Sequence, residues 1–179
     1  MPRIPPIEPS EESEALRPVF DQLRATRGRI PTMYRLLAHH PEILAAHRAY
    51  FHAALDSGTL GRGFKEKVAF KVAHMCGSAY STASHRRNAL RHGVAEEELQ
   101  AIQRSDYARL DQRERAALQF AEEVARSWKA PSVSTFDLLV EHFSTAEIVE
   151  LSALVGIMQL ASTLGAIFDL EPDSDEASV

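Results

Sequence analysis

Segments with a helical repeat of apolar residues follow one another along this chain, and residues typical of helix ends separate them. Leu16, Val19, Phe20 and Leu23 show this repeat within one segment. Ala, Leu, Glu and Arg are abundant, and these side chains lose little rotamer freedom on a helix. No segment has the apolar–polar alternation of a half-buried strand. The sequence therefore predicts an all-α fold.

Serine, proline and glycine residues mark the ends of the expected helices. Ser10, Ser78 and Ser144 are expected to cap three of them, because a serine hydroxyl accepts a hydrogen bond from a free N–H of the first turn. Gly93 is expected just past one helix end, in the left-handed conformation that glycine adopts readily. The expected helices cover residues 10–27, 30–37, 41–56, 64–75, 78–92, 96–103, 111–128, 134–142 and 144–168.

The chain is expected to form one domain with two short ends. Residues 1–9 contain four prolines and are predicted to form an extended arm that packs on something, such as a neighbouring subunit. Residues 10–170 are enough to bury one core. Residues 171–179 are acidic and rich in small side chains, so this tail is predicted to be disordered.

Charge and hydropathy argue against several classes of partner. The net charge of −5 argues against nucleic-acid binding, which needs a surplus of Lys and Arg, and the basic cluster at 85–87 is interpreted as a solvated helix face. The sequence has no uninterrupted stretch of about 18 apolar residues, so no membrane span is expected. The N-terminus lacks the apolar core of a secretory signal. A single cysteine, Cys76, fits a reducing compartment, so we expect a cytoplasmic protein.

The histidines do not have the spacing of metal ligands. None of the eight falls in an HxxxH or HExxH pattern, which would place two zinc ligands on one helix face. His85 and His92 share a face, but two helical turns, about 10 Å, separate their backbones. We therefore expect no metal site, and no motif predicts another cofactor.

A cluster of polar residues surrounds an expected helix break at Gly77. Ser78, Ser81 and His85 fall within an arc of roughly 60° on the helix that follows this break. Glu66 lies on the helix that precedes it. If the chain folds back at Gly77, the carboxylate of Glu66 can approach His85.

These residues carry a resemblance to a known family. Redox members of the carboxymuconolactone decarboxylase and alkylhydroperoxidase D family have a Glu, a Cys twelve residues later, a second Cys three further on, and a His four beyond that. In this chain the same spacing falls on Glu66, Ser78, Ser81 and His85. Segments similar to other parts of the family are 30–35, 38–42, 113–118 and 146–148, so the resemblance spans residues 10–168.

The resemblance implies a fold of two roughly equivalent helical halves with the motif helices buried between them. It also implies a homo-oligomer, from dimer to hexamer, with a site near a subunit boundary. In redox members the cysteine pair reduces peroxide while the Glu and the His relay protons.

This sequence departs from the family pattern at two places. Serine cannot be oxidised to a sulfenic acid or form a disulfide, so Ser78 and Ser81 exclude the dithiol mechanism. In the last helix, related sequences often have an Asn-x-x-Asn pattern, and the matching residues here are Gln159 and Ser162. We expect these two side chains to form a polar wall of the pocket.

The first functional interpretation is acid–base chemistry on a small carboxylate compound, of decarboxylation or lactone type. Glu66 and His85 would transfer protons, and Ser78 and Ser81 would donate hydrogen bonds to the anion. The spacing also fits a serine nucleophile activated by His85, or two hydroxyls that only cap their helix.

Two further interpretations stay open. Cys76 lies just before the motif helix, where its pKa could be lowered, and it could act as a lone peroxidatic thiol. Alternatively, the fold is a non-catalytic oligomeric or ligand-binding scaffold in which Glu66 and His85 form a structural pair.

Overall fold

The computed structural model describes residues 2–127 and 130–173, and over these residues the fold is all-α, as the sequence predicted. A 3-10 turn at Pro9–Glu11 comes first, and a π-helical turn at His52–Asp56 continues the third helix. No strand occurs within the described ranges. The α-helices are α1 (Arg17–Arg27), α2 (Thr32–Leu37), α3 (Pro41–Phe51), α4 (Arg62–Met75), α5 (Ala79–Arg91), α6 (Glu96–Gln103), α7 (Gln112–Ser127), α8 (Val133–His142) and α9 (Thr145–Ile167).

Two of the three serine caps are present. The Oγ of Ser78 accepts a hydrogen bond from the N–H of Ser81 at 3.2 Å. Ser144 forms a reciprocal capping box with Glu147 at the start of α9. Gly93 follows α5 with a φ of +83°, as expected for a left-handed residue after a helix end.

The predicted cap at Ser10 is wrong, and Pro18 is the physical reason. A proline inside a helix removes one backbone hydrogen bond, and its ring clashes with the preceding turn. A helix from Ser10 to Arg27 would hold Pro18 in its interior. The chain instead begins α1 at Arg17, so that Pro18 lies in the first turn, where its missing N–H costs nothing.

Helix α4 lies at the centre of the larger hydrophobic core and buries even its lysines. The Nζ of Lys71 lies 3.3 Å from a carboxylate oxygen of Glu122, and Lys65 pairs with Glu150. Lys67 pairs with Glu98 at 2.7 Å and also with Glu114. These pairs offset the desolvation of the ammonium groups, but burial still lowers the pKa of Lys71. A smaller apolar cluster joins α1 and α2 to the start of α5.

The N-terminal arm packs on its own chain. The N–H of Ile7 donates to the carbonyl of Arg35 at 3.1 Å, and Arg35 Nε donates back to the carbonyl of Ile7 at 2.9 Å. The N–H of Arg3 donates to the carbonyl of Phe168 at 2.9 Å. The arm therefore joins α2 to the end of α9.

Part of the predicted tail is also in contact with the fold. Asp173 forms an ion pair with Arg29 and accepts a hydrogen bond from the hydroxyl of Thr32. The remaining tail residues, 174–179, and the expected helix end at Trp128 lie outside the described residues.

Helix α9 is the one helix in the described part of the chain that is long and apolar enough to cross a membrane. Half of its most apolar window is buried within the fold, as in a core helix. Its exposed side carries Val149, Leu160 and Ile167. Self-association stays a prediction, which light scattering can test.

Candidate functional site

A short turn brings the two motif helices side by side. Gly77 has a φ of +68°, which glycine adopts without strain, and the N–H of Ser78 donates to the carbonyl of Ala73 at 3.1 Å. At the ends of the two helices opposite this turn, Gly63 of α4 lies close to His92, which follows α5. A Cβ placed on Gly63 would lie 3.2 Å from the carbonyl oxygen of His92. Helix α5 therefore runs back along α4.

This arrangement brings Glu66 and His85 into direct contact. The Nδ1 of His85 lies 2.7 Å from Oε2 of Glu66, and the two side chains are 5% and 0% exposed. A carboxylate only accepts hydrogen bonds, so Nδ1 carries the proton and donates it. In the neutral ring, Nε2 then has a free lone pair. The catalytic roles of both residues stay predictions.

Arg62 completes the environment of Glu66 and was missed from the sequence. Its Nε donates to Oε1 of Glu66 at 2.8 Å, one helical turn away. Burial by itself would raise the pKa of Glu66, but the contacts with His85 and Arg62 outweigh it and hold that pKa below its usual value. The carboxylate is therefore ionised at neutral pH. The i, i+4 spacing of Arg62 and Glu66 was the available signal.

Ser78 and Ser81 are both buried at the start of α5. The hydroxyl of Ser78 caps helix α5. This oxygen therefore has the capping role that was one of the interpretations of the sequence. A Cβ on Gly165 of α9 would lie only 3.2 Å from the same Oγ, so α9 approaches Ser78 closely because residue 165 is glycine. A shallow cavity of about 390 Å³ reaches Ser78 from outside, between His74 and Arg86.

The expected lowering of the pKa of Cys76 does not occur. Burial raises the pKa of this half-buried thiol, and the nearby hydroxyl of Ser162 lowers it by less. Ser162 Oγ is itself buried without a hydrogen bond of ordinary geometry to any described residue. Cys76 therefore remains a protonated thiol at neutral pH.

The two residues expected to form a polar wall point in different directions. Ser162 lies near Cys76, whereas Nε2 of Gln159 donates to the carbonyl of Val124 in α7 at 3.3 Å. Both are buried in α9. Their shared role in a pocket stays a prediction.

A row of stacked, buried rings extends from His85. The ring of Phe51 stacks on His85 with 6.2 Å between ring centres, and His47 stacks on the other side of Phe51 at 6.0 Å. Both ring nitrogens of His47 are buried without a partner in the described residues. Burial lowers the pKa of His47, so this ring is neutral.

Beside this row lies a cavity of about 690 Å³, bounded by α1, α3, the π-helical turn, the start of α4 and α5. We call it the arginine cavity. Phe51 and Arg62 belong both to its lining and to the surroundings of the Glu66–His85 pair. The arginines that line it are Arg27, Arg29, Arg48, Arg62, Arg87 and Arg91. No sequence pattern indicates this cluster, because its members come from distant segments.

Within the described ranges, no three His, Cys, Asp or Glu side chains lie close enough to hold a metal ion.

Comparison with solved structures shows the fold. A debrominase, Bmp8, in complex with 2,3,4-tribromopyrrole is similar with a TM-score of 0.84 and 22% identity, over 98% of this chain and 94% of that one. An uncharacterised peroxidase-related protein from Ralstonia eutropha JMP134, described as an alkylhydroperoxidase AhpD core, has a TM-score of 0.86 and 20% identity, over 98% and 94%. A peroxidase-related protein from Silicibacter sp. TM1040 has a TM-score of 0.86 and 18% identity, over 97% and 92%.

Sequence comparison gives the family. No curated protein matches the sequence of this chain. Residues 41–123 match the carboxymuconolactone decarboxylase family, and this range contains α4, α5 and the Glu66–His85 pair. Together with the AhpD-like fold, this match confirms the resemblance found in the sequence. Residues 41–123 of this chain therefore match the carboxymuconolactone decarboxylase family, within an AhpD-like fold.

Proposed function

We propose that this protein is an acid–base catalyst that acts on a small carboxylate compound, by decarboxylation or lactone-type chemistry. The observation that carries this proposal is the 2.7 Å contact between Glu66 and His85. A carboxylate that orients an imidazole through Nδ1 leaves Nε2 to move a proton, which is the usual role of histidine in general acid–base catalysis.

Each residue of the site has a distinct role in the proposed reaction. His85 Nε2 takes a proton from the substrate or returns one to the carbon that loses a carboxylate as carbon dioxide. Glu66 fixes the tautomer of His85 and stabilises its protonated form. Arg62 holds Glu66 in place. The N–H groups at the start of α5 favour a negative charge beside Ser81.

Peroxidase chemistry is not proposed. The pKa of Cys76 is raised by burial, and only a thiolate attacks peroxide. The chain contains no second cysteine to resolve an oxidised Cys76. The near-complete burial of Glu66 and His85 instead favours, as the second candidate, a structural pair inside a ligand-binding scaffold.

A substrate panel with matched variants tests the proposal. Lactones, enol-lactone acids and β-keto acids are incubated with the wild type, and consumption is followed by chromatography. We expect turnover of at least one compound, with a loss of about 100-fold or more in Glu66→Gln and His85→Ala. His40→Ala, at an exposed residue just before α3 that lines neither cavity, is the control and should keep full activity.

Two outcomes contradict the catalytic proposal. Turnover that is unchanged in both Glu66→Gln and His85→Ala removes the assigned roles. No turnover of any compound by the wild type, combined with a lower melting temperature of both variants, supports the structural pair.

A further inference from the structure

The arginine cavity concentrates positive charge in a protein that is negative overall. Six arginines line it, and Asp56 is the only carboxylate among its lining residues. The net charge of the whole chain is −5. Like charges placed together repel one another, so a cavity of this composition is stabilised when an anion enters it.

Two of these arginines are available for a ligand. The Nη2 of Arg48 donates to the neutral amide oxygen of Gln22 at 3.0 Å. Neither Arg48 nor Arg91 forms an ion pair with a carboxylate in the described part of the chain. Arg27, by contrast, lies 4.0 Å from Asp56. Arg62 contacts Asp56 and Glu66.

The positions of the arginines match a ligand with more than one anionic group. Arg48 lies on α3 and Arg91 on α5, on different walls of the cavity. A guanidinium group binds a carboxylate or a phosphate through two parallel hydrogen bonds. A single small anionic group can bind the guanidinium group on one wall, whereas a polyanion can bind the guanidinium groups on both walls.

The rest of the lining is suited to an apolar ligand body. The lining includes the apolar side chains of Val19, Ala45 and Ala49. It also includes the aromatic rings of Tyr34 and Phe51. A volume of about 690 Å³ is in the range of pockets that hold small organic ligands. The cavity is too small and concave to suit a nucleic-acid duplex.

We propose that the arginine cavity binds a small polyanion, a compound with two or more carboxylate or phosphate groups on an apolar body. This binding does not depend on catalysis at Glu66 and His85, although Arg62 and Phe51 border both places. Binding is therefore expected to persist in the His85→Ala variant, which separates the two proposals.

Isothermal titration calorimetry with defined probes tests the proposal. Benzene-1,2,4-tricarboxylate represents carboxylates on an apolar body, pyrophosphate represents phosphate groups, and benzoate represents a single carboxylate. We expect the tricarboxylate or pyrophosphate to bind at least about tenfold more tightly than benzoate, and added salt to weaken binding. Tighter binding of the tricarboxylate than of pyrophosphate indicates a ligand with carboxylate groups. The reverse order indicates a ligand with phosphate groups.

Charge-matched variants locate the binding site. Arg48→Gln/Arg91→Gln removes one arginine from each wall and should weaken binding about tenfold or more. Arg104→Gln/Arg109→Gln removes the same charge from exposed positions outside the cavity and should leave binding unchanged. An equal loss in both double variants, or no binding of either polyanion at millimolar concentration, overturns the proposal.

Discussion

His85 Nδ1 and Glu66 Oε2 lie 2.7 Å apart, in a part of the core that solvent hardly reaches. Arg62 holds the other oxygen of the same carboxylate. The pair therefore links the two motif helices by a buried charged contact, and its charge state affects both stability and the proposed chemistry.

The stability of the protein should depend on pH through Glu66. Its pKa in the folded state lies below the value of about 4.3 for an unfolded glutamate, so the unfolded state binds the proton first. The stabilisation is complete above the unfolded pKa and is lost as the pH falls through the lower folded pKa. Urea unfolding between pH 3 and pH 7 should show the free energy of unfolding falling below about pH 5.

The variant Glu66→Gln isolates this contribution. At pH 7 it should lower the free energy of unfolding by about 3 kcal/mol, because His85 and Arg62 lose a buried anionic partner. Its stability should also fall less steeply with acid than that of the wild type. Parallel curves for the two proteins would assign the acid sensitivity to other carboxylates.

Cys76 should react slowly with iodoacetamide at neutral pH. The thiolate is the reactive form, and burial raises the pKa of this thiol. The pH midpoint of alkylation should therefore lie above that of a cysteine in an unstructured peptide. In Ser162→Ala the midpoint should rise further, because the hydroxyl that lowers the pKa is gone, whereas exposed Thr163→Ala should not change it. A midpoint below that of the peptide would reopen the peroxidase interpretation.

The close approach of α9 to Ser78 predicts different effects for one substitution at two glycines. Gly156→Ala, at an exposed position of α9, should stabilise the helix by up to about 1 kcal/mol. Gly165→Ala should not, because the new Cβ would lie 3.2 Å from Ser78 Oγ. In a Ser78→Ala background Gly165→Ala should become stabilising. Thermal unfolding of the wild type, Gly165→Ala, Ser78→Ala and the double variant measures this coupling. Additive effects of the two substitutions would contradict the contact.

Glu150 should be needed to hold the loop before α4 against α9. Its carboxylate accepts hydrogen bonds from the N–H of Thr59 at 2.9 Å and of Leu60 at 3.3 Å, and it pairs with buried Lys65. Glu150→Ala should therefore cost about 3 kcal/mol in chemical denaturation. Glu141→Ala, an exposed glutamate on α8, should cost less than about 0.5 kcal/mol. Equal effects would show that the loop is held by other contacts.

Local chemistry allowed the central part of the site to be predicted. Ser78 caps α5 because its hydroxyl is within reach of the first free N–H, which is a property of neighbouring residues. The contact of Glu66 with His85 follows from two helix periods and one turn at Gly77. Such relationships span few residues, so the sequence contains them.

Features that depend on distant segments were not predictable in this way. The basic cluster at 85–87 was interpreted as a solvated face, yet Arg87 lines the arginine cavity. Only the tertiary fold places Arg48 of α3 and Arg91 of α5 in the lining of one cavity. The contact of Asp173 with Arg29 likewise joins residues at opposite ends of the chain. The start of α1 is different, because Pro18 alone disfavours a helix that begins at Ser10.

Ser78 and Ser81 give the first turn of α5 no group that can store an electron. In the proposed reaction, a carboxylate, an imidazole and two hydroxyls would exchange protons with the substrate and leave the oxidation state of the protein unchanged after each turnover. Such a reaction would need no reducing partner to reset the site. The proposed activity should therefore be indifferent to the reducing power of its surroundings.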